Sequence, residues 1–131
     1  MAGSRDPASE DNQKKRALLE RRMLVFAADV IRKLEQKPYL PNRVIDQLTG
    51  SSSSIGANYA EACNGVSRSD FRNKIYTSKK EAAETRFWLD LCMEIRPKDE
   101  EWIRLRQEAH ELLMILQAII NTLKGGNGSA K

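Results

Sequence analysis

Ten basic side chains fall in short clusters along this chain: Lys14, Lys15 and Arg16; Arg21 and Arg22; Arg68, Arg72 and Lys74; Lys79 and Lys80. Clusters of this kind neutralise phosphates, and a protein that uses them binds nucleic acid with an affinity that falls steeply with salt. Aromatic residues lie among them, namely Tyr59, Phe71, Tyr76, Phe87, Trp88 and Trp102, and aromatic rings stack on unpaired RNA bases. Plainer readings compete with both. Solubility alone also produces a basic helix face, and aromatics at helical spacing also build cores.

No other chemistry assembles. A di-metal carboxylate bundle needs Glu-x-x-His pairs, but the sole histidine, His110, has Gln107 three residues before it. Ser51 to Ser54 have no histidine partner for nucleophilic catalysis. The SIGAN segment lacks both the GxxxxGK spacing and the preceding strand of a phosphate loop. Cys63 and Cys92 read as small buried hydrophobes on helices. With no converging nucleophile, base and orienting group, no enzyme, metal or cofactor is expected.

Four further polar residues are spaced in pairs. Asn58 and Glu61 are three apart, and so are Glu81 and Glu84, so each pair shares a helix face. They read either as solvent-exposed or as structural. In the second case Glu61 pairs with a basic residue near the 67–72 turn and pins two helices together. A buried pair of that kind loses ~3 to 5 kcal/mol when one partner is removed.

The bounds are those of one soluble domain. The 131 residues carry 22 Lys plus Arg against 18 Asp plus Glu, a net charge of +4. That excess is compatible with nucleic acid without being diagnostic of it. The longest apolar run, Leu112 to Ile120, is interrupted by Gln117 and falls far short of the ~20 residues that span a bilayer. The N-terminus has no apolar signal core, so a cytoplasmic location is expected.

The elements that must position these groups are all helical. Leu19, Met23, Phe26, Val30 and Leu34, widened by Leu24, Ala27 and Ile31, predict a first helix from about Lys14 to Gln36. A second is expected from Pro41 to Asn64. Its middle, Gly50 to Gly56, has linker-like composition, yet Ile45, Leu48, Ser52, Ile55 and Tyr59 hold one register through it. A continuous helix with a small-residue face for close packing is the better reading. Asn64-Gly65 suits a left-handed cap, and Ser67 to Asp70 forms a capping box.

A third helix, Ser69 to Ile95, carries two apolar stripes and hence two sets of neighbours. One is Phe71, Ile75, Ser78, Ala82, Leu89 and Cys92; the other is Tyr76, Ala83, Phe87 and Leu91. Trp88 lies between the stripes and suggests a subunit interface. In the fourth, Trp102, Leu105, Ala109, Leu112, Leu116, Ile119 and Leu123 make a bundle seam ending at Lys124. The expected architecture is all-α, an antiparallel up-down four-helix bundle over residues 13–124, with disordered tails at 1–12 and 125–131.

Three motifs in this order, SSSSIGANYAEA, SRSDF and KEAAETRFWL, resemble the bacterial 23S rRNA intervening-sequence proteins. The residues that carry the resemblance are Ser54, Ile55, Gly56, Ala57, Asn58 and Glu61; Ser69, Asp70 and Phe71; and Lys80, Glu81, Ala82, Glu84, Thr85, Trp88 and Leu89. The resemblance implies a non-enzymatic bundle assembling as a ring, typically a homopentamer. The chain is also similar to the basic accessory proteins of diversity-generating retroelements, which bind a reverse transcriptase and nucleic acid. Two functions follow as expectations. The first is an oligomeric RNA-binding scaffold, possible partner of 23S rRNA, whose phosphate-contacting surface is formed by the ten basic residues. The second is a protein–protein adaptor, such as an accessory subunit of a retroelement reverse transcriptase.

Overall fold

The computed structural model describes residues 7–36 and 39–128, and within them the backbone forms four helices and no strand. Helix α1 spans Pro7–Glu35, α2 Asn42–Cys63, α3 Arg68–Ile95 and α4 Glu100–Gly128. Each helix packs on its chain neighbours and α1 closes on α4, while diagonal helices make no close backbone approach. Cross-helix contacts fix the directions. Ile55 faces Ser78 and Ser51 faces Thr85, Asp90 faces Arg106, and Arg22 faces Glu108 while Lys33 faces Asp99. Residue numbers fall along one partner as they rise along the other, so these neighbours run antiparallel.

The core is a continuous apolar column. Met23, Val30, Leu48, Ile55, Ile75, Leu89, Trp102, Leu105, Leu112 and Leu116 are all fully buried. Among the described residues its buried polar side chains are Ser51 and Ser52 of α2 and Ser78 and Thr85 of α3, the two helices whose contact is the most extensive of the four. The window from Gly50 to Gly56 is helical throughout, as its register requires. A Cβ on Gly56 would sit 3.2 Å from the Met23 Cβ, so the missing side chain is what lets α1 approach.

Several boundaries differ from expectation. α1 begins at Pro7 rather than Lys14, because proline is well suited to a first helical turn and Glu10 favours the positive end of the dipole. Residues 7–12 of the expected tail are thus helical. α4 likewise continues past Lys124 to Gly128. The rest of the expected tails, 1–6 and 129–131, lie outside the described residues.

α2 ends without the left-handed cap. Asn64 has φ −105° and ψ 9°, and its amide N–H bonds the Ala60 carbonyl. Gly65 is needed for space instead, since a Cβ there would meet the Asp70 Cβ at 3.1 Å. Ser67 does cap α3, with the Asp70 N–H donating to Ser67 Oγ at 3.0 Å, the N-cap half of the expected box. α4 starts at a comparable cap, where Asp99 Oδ1 accepts from the N–H groups of Glu101 and Trp102.

Stripe assignments shift too. Leu24 is 60% exposed rather than widening the α1 stripe. In α4, Leu113 and Ile120 are buried whereas Ile119 is only partly so. A straight helix at 3.6 residues per turn drifts away from a 3.5-residue seam. The second α3 stripe is mostly uncovered: Tyr76, Ala83 and Phe87 are exposed, while Leu91 is half-buried against the core.

Candidate nucleic-acid interface

The ten basic residues do not share a face. Lys14, Lys15, Arg16 and Arg21 are exposed on α1, and Lys15 pairs with Asp11 one turn away. Arg22 turns toward α4, where Glu108 accepts from its Nε at 2.6 Å and from its Nη2 at 2.9 Å, and Glu111 accepts from Nη2 at 2.7 Å. Those carboxylates hold its guanidinium more firmly protonated than usual. Lys74 reaches Glu61 on α2 at 2.7 Å. Arg22 and Lys74 therefore serve the bundle. Lys80 is exposed, and Lys79 is half-buried.

Arg16, Arg68 and Arg72 do converge. They border a cleft of about 550 Å³ at the end of the bundle that holds the α2–α3 turn. The turn geometry explains the placement. Ser67 caps α3, which brings Arg68 into the first turn and Arg72 one turn later on the same flank. Lys79, two turns beyond Arg72, continues that flank. Arg16 arrives from α1 with its guanidinium carbon 5.0 Å from the Phe71 ring centroid. None of the three arginines is engaged in an ion pair among the described residues.

Apolar groups make much of the rest of the cleft wall, Ala62 and Cys63 of α2, Val66 of the turn, Phe71 of α3 and Leu123 of α4, with Gly65, Ser67 and Thr122 between them. Val66 is 94% exposed. These wall residues escape sequence reading because they come from four separate segments. Only their position at element ends hints at a shared location.

The polar motif residues have mainly structural roles. Asn58 is half-buried, and its amide donates to the Ser54 carbonyl at 2.9 Å. Ser54 is itself half-buried and Ile55 fully buried. Ser69 and Asp70 are exposed in the first turn of α3. Glu61 does pair across to α3, but at 59% and 44% side-chain exposure the Glu61–Lys74 bridge is a surface pair. Such pairs contribute about 0–1 kcal/mol, not the several expected of a buried one.

Glu81 is half-buried beside Glu84. Desolvation, and then the neighbouring carboxylate, push its carboxyl above the usual range. Glu84 accepts from the Trp88 indole N–H at 3.2 Å. Trp88 itself is half-buried against the core, and the outward aromatic is Phe87, 59% exposed and edge-on to it at 5.2 Å. In the single chain the exposed aromatic is thus Phe87, while Trp88 is half-buried.

A second open surface runs between α1 and α2. Its groove of about 510 Å³ is lined by small residues, including Ala17, Ser53, Gly56, Ala57 and Ala60, with Leu24 on its edge. His110 Nδ1 lies 2.8 Å from Arg86 Nη1 and so accepts from it. Cys63 and Cys92 are free thiols, and burial pushes Cys92 up to about 11. Among the described residues no group of three or more His, Cys, Asp or Glu could hold a metal ion. No described helix is long and apolar enough to cross a membrane.

Comparison with known proteins agrees with this architecture. The family described as 23S rRNA-intervening sequence protein matches residues 21–118. A solved structure of a protein with unknown function from the S23 ribosomal protein family of Bacteroides thetaiotaomicron VPI-5482 is similar, with a TM-score of 0.71 and 31% identity. The match covers 82% of this chain and 98% of that one. No curated protein matches. Neither description names an enzymatic activity.

Proposed function

Since the chain belongs to the 23S rRNA-intervening sequence protein family, we propose that it is a non-enzymatic, oligomeric RNA-binding scaffold working in the cytoplasm. One observation carries the reading: Arg16, Arg68 and Arg72, from two helices, border one cleft with no carboxylate paired to them among the described residues. Guanidinium groups left unpaired at a concave site are suited to bidentate recognition of phosphate. The surface is smaller than the ten-residue one expected, because Arg22 and Lys74 are occupied within the bundle. Repeating one modest site around an oligomer raises avidity without any new contact.

Two open surfaces support self-assembly: the small-residue groove between α1 and α2, and the exposed Tyr76 and Phe87 on α3. A ring-shaped homopentamer, the assembly implied by the family resemblance, is the form we propose. Native mass spectrometry reads it directly, and a monomer at micromolar concentration would overturn it.

The RNA reading is tested by fluorescence anisotropy with a short labelled RNA across a salt series. Affinity is expected to fall steeply from ~50 to ~200 mM salt. Replacing Arg16, Arg68 and Arg72 together by alanine should weaken binding and flatten the salt slope by roughly one unit per lost phosphate contact. Absence of binding at low salt defeats the proposal. The same exposed apolar surfaces favour a second reading, a protein–protein adaptor such as an accessory subunit of a retroelement reverse transcriptase. Salt-insensitive capture of a nucleic-acid enzyme, with no RNA bound, would support that reading instead.

A further inference from the structure

We infer that the three-arginine cleft is a pocket for an unpaired nucleotide, so that the protein selects single-stranded over duplex RNA. The inference rests on the RNA-binding reading above and adds the class of RNA to it. A duplex presents an outer lattice of phosphates, and a protein that grips it needs cations spread over a matching surface. Here the other cations do not line the cleft: Lys14, Lys15 and Arg21 stand on α1, Lys79 and Lys80 lie about two turns beyond Arg72 on α3, and carboxylates hold Arg22 and Lys74.

What remains is concave and two-sided. Arginines border it, while Cys63, Phe71 and Leu123 give it an apolar wall. Its volume of about 550 Å³ falls within the ~300–1,000 Å³ of small-ligand pockets and accommodates one nucleotide.

The chemistry matches the two halves of a nucleotide. Arg68 and Arg72 are placed for phosphate. Arg16 is held by the Phe71 ring yet is itself exposed, so its planar guanidinium can stack on a base. Val66, at the turn, is almost wholly exposed and has no apolar cover among the described residues. Phosphate attraction gives an apolar side chain there nothing to do, whereas a splayed-out base would cover it. The charge also favours RNA over a neutral occupant. Asp70 packs against Gly65 but does not line the cleft.

The experiment compares the full chain binding an unstructured single-stranded RNA and a blunt duplex of the same sequence, with an oligoglutamate peptide as competitor. Wild type should bind the single strand about tenfold more tightly than the duplex. The charge-neutral change Val66→Ser, at an exposed turn position, should weaken single-strand binding roughly three- to tenfold and leave the salt slope unchanged. Equal affinity for single strand and duplex, or no effect of Val66→Ser, overturns the inference and leaves general RNA binding standing. Loss of both RNAs at low salt overturns the two readings together. Oligoglutamate displacing the single strand as well as unlabelled RNA does would make the occupant an acidic peptide, and the inference would fail.

Discussion

Ser51, Ser78 and Thr85 look, as residue types, like surface polar groups, yet each is buried between α2 and α3. Their hydroxyls are satisfied. Ser78 Oγ donates to the Ile55 carbonyl at 2.7 Å. Thr85 Oγ1 lies 2.8 Å from both the Glu81 carbonyl oxygen and Ser51 Oγ. A carbonyl can only accept, so Thr85 donates to Glu81 and Ser51 donates to Thr85. Thr85→Val keeps the shape but strands the Ser51 hydroxyl in an apolar contact, a loss of about 1 to 3 kcal/mol. Replacing both, Ser51→Ala with Thr85→Val, removes the stranded group and should cost less than the sum of the single changes. Chemical denaturation of the four species measures the coupling, and strict additivity would mean that the pair does not interact. The sequence marked Ser51 as a small residue in a close-packing window, Ser78 as a member of an apolar stripe and Thr85 as a motif residue. It could not identify the bond, because Ser51 and Thr85 are 34 residues apart and meet only once the bundle forms.

At the scale of the element, helix existence and type were readable throughout, since four runs of apolar residues kept helical spacing. Ends were less so. Pro7 lies outside any apolar run, and pattern reading begins a helix only where burial begins. Spacing also could not say what covers a stripe, because Tyr76 and Phe87 have the spacing of core residues but face outward in the single chain. Of the candidate site, the three arginines and Phe71 were visible as residues, but their meeting with Leu123 depends on which helix ends share one pole of the bundle. The two glycines of α2 test the account of that helix. Gly50 is helical and exposed, with nothing within 4 Å of an added Cβ, so Gly50→Ala should stabilise by about 1 kcal/mol through propensity alone. Gly56 faces Met23, and Gly56→Leu should destabilise by about 1 to 3 kcal/mol through overpacking. Thermal melts of the two variants should move in opposite directions. A shared direction would mean that packing against α1 does not set the choice at Gly56.

For the whole molecule, the four seams are unequal, and the least extensive is the closure of α1 on α4. There ion pairs supplement the apolar contact: Arg22 with Glu108 and Glu111, Lys33 with Asp99 at 2.6 Å, and Arg104 with Asp29 at 3.4 Å. Lys33 Nζ also sits 5.2 Å over the Trp102 ring, which ties the end of α1 to the start of α4. The Lys33 hydrogen bond, followed by the cap N–H groups, holds the Asp99 carboxyl below its ordinary value of 3.8. Gln107 and Arg22 do the same for Glu111, whose ordinary value is 4.5. A depressed carboxyl stabilises the fold above its unfolded value, and that stabilisation is lost as pH falls through the folded one. The seam should therefore weaken from about pH 4.5 downward, while the buried hydroxyl bonds of the α2–α3 contact do not titrate in this range. Hydrogen exchange in mild acid should show α1 amides losing protection before those of α2 and α3. Asp99→Asn should cost about 1 kcal/mol at neutral pH and reduce the stability still to be lost on acidification. If the four helices lose protection together at every pH, α1 is no separable unit, and the ion pairs do not decide where the bundle opens.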